Sequence, residues 1–364
     1  MEELPRYFGA SKEKAKGTLR TLTRVLIKIL PIIAFVPAFL ILYSLYPWNF
    51  EATWKGRMFY VFFIWLASLE LIISWENTAT RLKRLASARN AALITSILLP
   101  TAYVIVSNFF GLNTLIISWA QSINAGWPSD MPLSIEYLVF AIFFVLLVWS
   151  EFGSTGLKNL GISSLFLAMI GIIYTIDTLY PNGSFTPFQA IVPVTSNLAA
   201  SFFNLMGYRA TTSNASVGGS WVTSLQVQNL RIPINAVNGT NPVAFNVAWP
   251  CAGIESLIIY TGAILIFLRG SGLSWKRRAV YFSVGAIVTY FINVLRIATF
   301  VVLGMQFGDF PTTPQITDFH NIYGSLYSIT WIITYLFILM FNQTLKNRSS
   351  TVTSEQTISP KIAP

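Results

Sequence analysis

Charge is what this sequence has least of. Lys, Arg, Asp and Glu make up 10% of its 364 residues, against roughly 25% in a soluble globular chain. That shortfall excludes an ordinary soluble enzyme, a disordered chain and a coiled coil. There is one cysteine and one histidine. An intramolecular disulfide is therefore impossible, and a Cys/His zinc cage has too few ligands, so no metal site is expected. No Gly-rich phosphate loop occurs either, and no cofactor is expected. What the chain does have is apolar surface: 54% hydrophobic residues, 15% of the total being aromatic.

That surface is organised in long runs. Eight segments reach the length of about 20 residues that spans a bilayer: 25–47, 58–76, 91–110, 134–152, 160–180, 252–268, 279–304 and 322–342. The expected fold is an all-α polytopic membrane protein. Seven basic residues fall within 1–28, around the start of the first run, but this run is too long for a signal peptide and no small-residue cleavage site follows it. Pro31 and Pro37 lie inside it and are expected to kink it.

The basic residues set the orientation. With the N-terminus inside, 19 Lys and Arg fall in inner segments and four (Lys55, Arg57, Arg209 and Arg231) in outer ones, leaving Arg296 within a span. The formal charge of +10 is thus a topology signal, and no nucleic-acid partner is expected. The expected organisation is a basic cytoplasmic segment (1–24), transmembrane helices one to five (25–180), an exterior insertion (181–249), transmembrane helices six to eight (250–345) and a disordered cytoplasmic tail (346–364). Within the insertion, Phe188, Ile191, Leu198, Phe202, Leu205 and Met206 follow helical spacing. They predict an amphipathic helix on the bilayer surface, interrupted near Pro193. Residues 221–232 and 243–249 favour strands, with an Asn238-Gly239 turn between them, as in a β-hairpin.

This topology brings three chemically distinctive residues to the outer face. Cys251 ends a strand-like stretch and opens the sixth span, where unpaired N–H groups of a helix start can lower a thiol pKa. The alternative is a small buried hydrophobe. Arg296 is 17 residues into the seventh span, about 25 Å along it. It is either a functional charge or a side chain snorkelling to the headgroups, with Asn293 one turn away. His320 precedes the eighth span, as a proton carrier or a helix-end residue. A cysteine and a histidine on one face form the minimal set for thiol acyl transfer. Glu70 and Asp177, in or near spans, read as interhelical hydrogen-bonding groups or as part of a polar pathway.

The motifs around these residues are Cys251-x-Gly253-Ile254-x-Ser256, Asn293-x-x-Arg296-Ile297 and Phe319-His320-x-x-x-Gly324. In order, spacing and side they resemble the exosortase/archaeosortase family of polytopic cysteine transpeptidases, over about residues 135–342. The resemblance points to an archaeal member. Some archaeosortases carry Arg at the third position; this chain has His320, the exosortase pattern, and Ala252 replaces the Ser often found after the Cys. The resemblance implies exported substrates with a C-terminal tripartite sorting signal (motif, membrane helix, basic cluster). They would be cut at the outer face of the plasma membrane and joined to an acceptor, a membrane lipid in archaeal cases. Cys251 would then form a thioester, Arg296 would stabilise the thiolate or oxyanion, and His320 would move protons. Glu255 would orient Arg296, pair with an inner-facing group or sit in a wet cavity, and Asp318 would orient His320. Two other readings stay open from the residues: a purely hydrolytic cysteine protease, and a transporter or assembly scaffold. The absence of an inverted repeat disfavours the transporter. The oligomeric state is not readable.

Overall fold

The structure, a computed structural model, describes Leu22 and residues 25–52, 54–76, 88–180, 187–217, 220–228, 243–307, 319 and 324–356. It is mostly helical with one small sheet. The chain divides into two compact units, the first built from residues 1–189 with 216–221 and the second from 190–215 with 222–364.

Among the described residues, the first unit holds six α-helices. They are α1 (Val25–Leu45), α2 (Met58–Ile73), α3 (Ala88–Phe109), α4 (Leu112–Ser122), α5 (Met131–Asn159) and α6 (Gly161–Leu179). The expected kink in α1 is a turn at Ala34 and Phe35, just before Pro37, which cannot donate to the preceding turn. The core is aromatic. Phe35 meets Phe63 and Phe140 edge-on at 5.4 and 5.5 Å between ring centres, and Tyr60 lies 4.3 Å from Tyr137. Helices α5 and α6 approach closely at Gly171, where a Cβ would meet the Leu138 side chain at 2.7 Å.

Several buried charged groups in this unit are paired. The Arg57 guanidinium donates to both Glu136 carboxylate oxygens at 2.8 and 3.0 Å, and Tyr60 adds a third bond to the same carboxylate. Lys55 bridges Asp130 and the buried Asp177 at 2.7 and 3.2 Å. Glu70 accepts from the backbone N–H groups of Ile162 and Ser163 at 2.9 Å each. It thereby caps the orphan donors and positive end of α6 from a neighbouring helix. Asp177 and Glu70 are therefore structural ties.

The second unit holds α7 (Ile191–Leu205), most of strands β1 (Arg209–Val217) and β2 (Ser220–Gln228), strand β3 (Val243–Val247), and helices α8 (Ile254–Gly270), α9 (Trp275–Phe307) and α10 (Gly324–Gln356). The sheet order is β1-β2-β3, with β2 and β3 antiparallel and Leu225 opposite Phe245. The predicted strand pair is present, and β1 is an addition to it. Phe245 of β3 lies 5.1 Å from Phe300 of α9 and fills the space over Gly304, where a Cβ would meet it at 2.4 Å. This contact docks the strand that leads into Cys251.

Helix α7 packs inside out. Thr195, Ser196, Ala199 and Phe203 are buried, while Leu198, Leu205 and Met206 of the predicted apolar stripe are exposed. A protein-facing side of mostly small residues, with Val192 and Phe203 among them, and large apolar ones facing outward suit a lipid environment, where close backbone approach supplies the packing. The interruption falls at the passage from a 3-10 turn (Pro187–Ala190) into α7, not at Pro193. Pro193 sits in the first turn, where its missing N–H costs nothing.

Among the described residues, four helices are long and apolar enough to cross a membrane: α1, α5 with its preceding turn (Pro128–Asn159), α6 and α9 (Trp275–Gln306). Leu93–Phe109 and Leu112–Ser122, bent by 71°, make a fifth if they form one broken span. Shorter apolar helices cover Met58–Ile73, Ile191–Leu205 and Leu326–Asn342. The tail expected to be disordered from 346 is instead helical as far as Gln356, a continuation of α10. Residues 357–364 and the segment 1–21 lie outside the described residues.

Candidate active site

The site is built around a break in the backbone. After β3, Trp249–Ala252 forms a 3-10 turn, and Gly253 takes the left-handed conformation (φ 89°) as the N-cap of α8. A side-chain-bearing residue is strained there. It would also collide, because a Cβ on Gly253 would sit 2.8 Å from both Cγ and Nδ2 of Asn293. Both features explain the glycine of the Cys-x-Gly motif. Trp249 is buried and anchors the turn at its start.

Cys251 therefore lies in the turn before α8 and not in the helix's first turn. Its N–H donates to Ala248 O at 3.0 Å, and its carbonyl accepts from Asn293 Nδ2 of α9 at 3.0 Å. Thr195 of α7 reaches the Ala252 carbonyl at 3.5 Å and shares a 2.6 Å hydrogen bond with the Tyr290 hydroxyl. One helix turn into α8, Ser256 meets Ser328 of α10 at 2.8 Å. The turn is thus tied to α7 and α9, and the start of α8 to α10.

The thiol's electrostatics follow from this placement. Burial pushes the Cys251 thiol up, the Arg296 guanidinium pulls it back and the Glu255 carboxylate pushes it up again, leaving it above the ordinary cysteine range. Burial outweighs the helix-start effect expected from sequence. A thiol in this condition needs a base to become a nucleophile. Arg296, 11 residues before the end of α9, is partly buried, and Glu255 is buried in the first turn of α8.

Cys251, Glu255, Asn293 and Arg296 are therefore one cluster. Asp318 and His320 lie outside the described residues. Between them Phe319 is buried and packs edge-on against Tyr327 at 5.9 Å. Sequence reading missed Thr195 and Tyr290. Tyr290 is three residues before Asn293, on the same helical face, which was the available signal; nothing in the sequence marked Thr195.

Apolar helices long enough to cross a bilayer define a multi-pass membrane protein. Its family follows from residues 48–338, which match the family model of the transmembrane exosortases. The chain belongs to the transmembrane exosortase family. No curated protein and no solved structure matches it. At family level it is a membrane-embedded sorting transpeptidase of the cysteine class, acting on exported proteins with C-terminal sorting signals.

Proposed function

We propose that Cys251 cleaves the C-terminal sorting signal of an exported protein at the outer face of the plasma membrane and passes the new C-terminus to a membrane lipid. The observation that carries this reading is the fixed Cys251 turn, with the Arg296 charge acting on its thiol. In the first step the sulfur attacks the scissile carbonyl. His320 takes the thiol proton, and the Arg296 guanidinium stabilises the developing oxyanion. The C–N bond breaks, the amine of the released membrane helix leaves with the proton from His320, and a thioester remains. In the second step a lipid hydroxyl attacks the thioester, His320 accepts its proton, and the thiol is restored. Glu255 orients Arg296 and Asp318 orients His320. Because burial holds the thiol protonated, His320 acts as a neutral base. Activity should therefore fall as the imidazole protonates at acidic pH.

The topology proposed with this chemistry has eight spans, both termini inside, and residues 181–249, Cys251 and His320 outside. The shorter helices α2, α8 and Leu326–Asn342 of α10 complete the count. Lipid transfer and hydrolysis differ only in the acceptor. Mass spectrometry of a coexpressed substrate's new C-terminus separates them: a lipid-sized addition supports transfer, and a free carboxylate supports hydrolysis.

A further inference from the structure

We infer that Asn293 is a positioning residue for thioester formation, holding the Cys251 turn in the orientation in which Arg296 acts on the sulfur. This inference rests on Cys251 being the nucleophile. The backbone ladder of α8 begins with Leu257 N–H donating to Gly253 O at 3.1 Å. The carbonyls of Cys251 and Ala252 precede it, on the far side of the left-handed residue. Asn293 Nδ2 donates to the first and Thr195 Oγ1 reaches the second. Tyr290, Asn293 and Arg296 recur every three residues and share one face of α9. Tyr290 holds Thr195, Asn293 holds the Cys251 backbone, and Arg296 lowers the thiol.

The amide itself points the same way. Asn293 is buried, and its Oδ1 has no hydrogen-bond partner among the described residues. A buried amide with an unpaired carbonyl is costly, and an apolar residue of similar shape would be cheaper. Stability alone therefore does not account for asparagine here. What it supplies that an apolar residue cannot is the donor to Cys251, beside a glycine packed too tightly against it to admit a Cβ.

The test uses the full chain in detergent with Asn293→Leu, Arg296→Gln and the double variant. Leu has a similar branched shape, carries no charge and suits a membrane helix. Two readouts are taken: substrate cleavage kinetics, and the pH midpoint of Cys251 alkylation by iodoacetamide. Asn293→Leu should lower kcat on the order of 10²-fold, the scale of a misplacement of about 1 Å, while KM stays nearly constant. Its alkylation midpoint should rise as in Arg296→Gln, and the double variant should go no higher than Arg296→Gln alone. A wild-type midpoint in Asn293→Leu, or shifts that add in the double variant, would overturn the inference. If Asn293→Leu does not fold, the near-isosteric Asn293→Asp carries the kinetic arm, and wild-type kcat there also overturns it. Wild-type cleavage by Cys251→Ala would instead sink the nucleophile reading while leaving the alkylation coupling to stand or fall by itself.

Discussion

Cys251 is held by burial in a state that its neighbours tune in opposite directions. The thiolate fraction, and with it the alkylation rate, should rise with pH through a midpoint above the ordinary value of about 8.5. Arg296→Gln removes the lowering charge and should move the midpoint up. Glu255→Gln removes the raising charge and should move it down. Iodoacetamide rates across pH measure all three, and a wild-type midpoint below the ordinary value would contradict the burial of the thiol. Arg296→Lys keeps the charge but loses the planar fork of donors, so cleavage should be weak without a changed pH dependence. In the first unit, Glu136→Ala leaves the buried Arg57 guanidinium without its bidentate partner. Breaking a buried pair from one side costs about 3–5 kcal/mol, and the variant should melt markedly earlier in a detergent thermal-shift assay.

At the scale of elements, the turn and its glycine carry the site. Gly253→Ala would add strain of about 1–2 kcal/mol from the left-handed backbone and a collision with Asn293. Cleavage by that variant should be nearly lost while the protein still inserts, followed by gel shift and membrane fractionation. Wild-type cleavage would contradict the role given to this turn and its contact with Asn293. Hydropathy made the helical runs legible, because an apolar run of span length has few alternatives in water. The β-favouring residues of 221–232 marked β2, and the apolar alternation of 243–249 marked β3. Hydropathy missed β1, whose Arg209–Val217 sequence is mostly small and polar and becomes a strand only by pairing with β2. It missed α4 because Gly111, left-handed at φ 80°, interrupts the apolar run ahead of a helix shorter than a span. Cys251 and Arg296 were legible as residues out of place in an apolar chain. The contacts of Asn293 and Thr195 with the turn were not, since a carbonyl accepting from a side chain 42 or 57 residues away leaves no local pattern.

For the whole molecule, the basic asymmetry is the guide to orientation. Of the four basic residues assigned outside, Lys55 and Arg57 are each bonded to carboxylates, so the free outer positive charge is smaller than the count suggests. Single-cysteine variants in a Cys251→Ala background should show this in intact cells. Ser216→Cys should react with an impermeant thiol reagent and Ser350→Cys should not. The reverse pattern would invert the topology and place the thiol on the inner face.

Whether Cys251 performs the chemistry is decided by one comparison: cleavage of a coexpressed substrate by wild type and by Cys251→Ala at matched membrane levels, read by gel shift. The only thiol in the chain is removed by a one-atom change in the turn before α8, so the variant should fold and insert yet leave the substrate uncut. Cleavage by Cys251→Ala at the wild-type rate would contradict every thioester step described above.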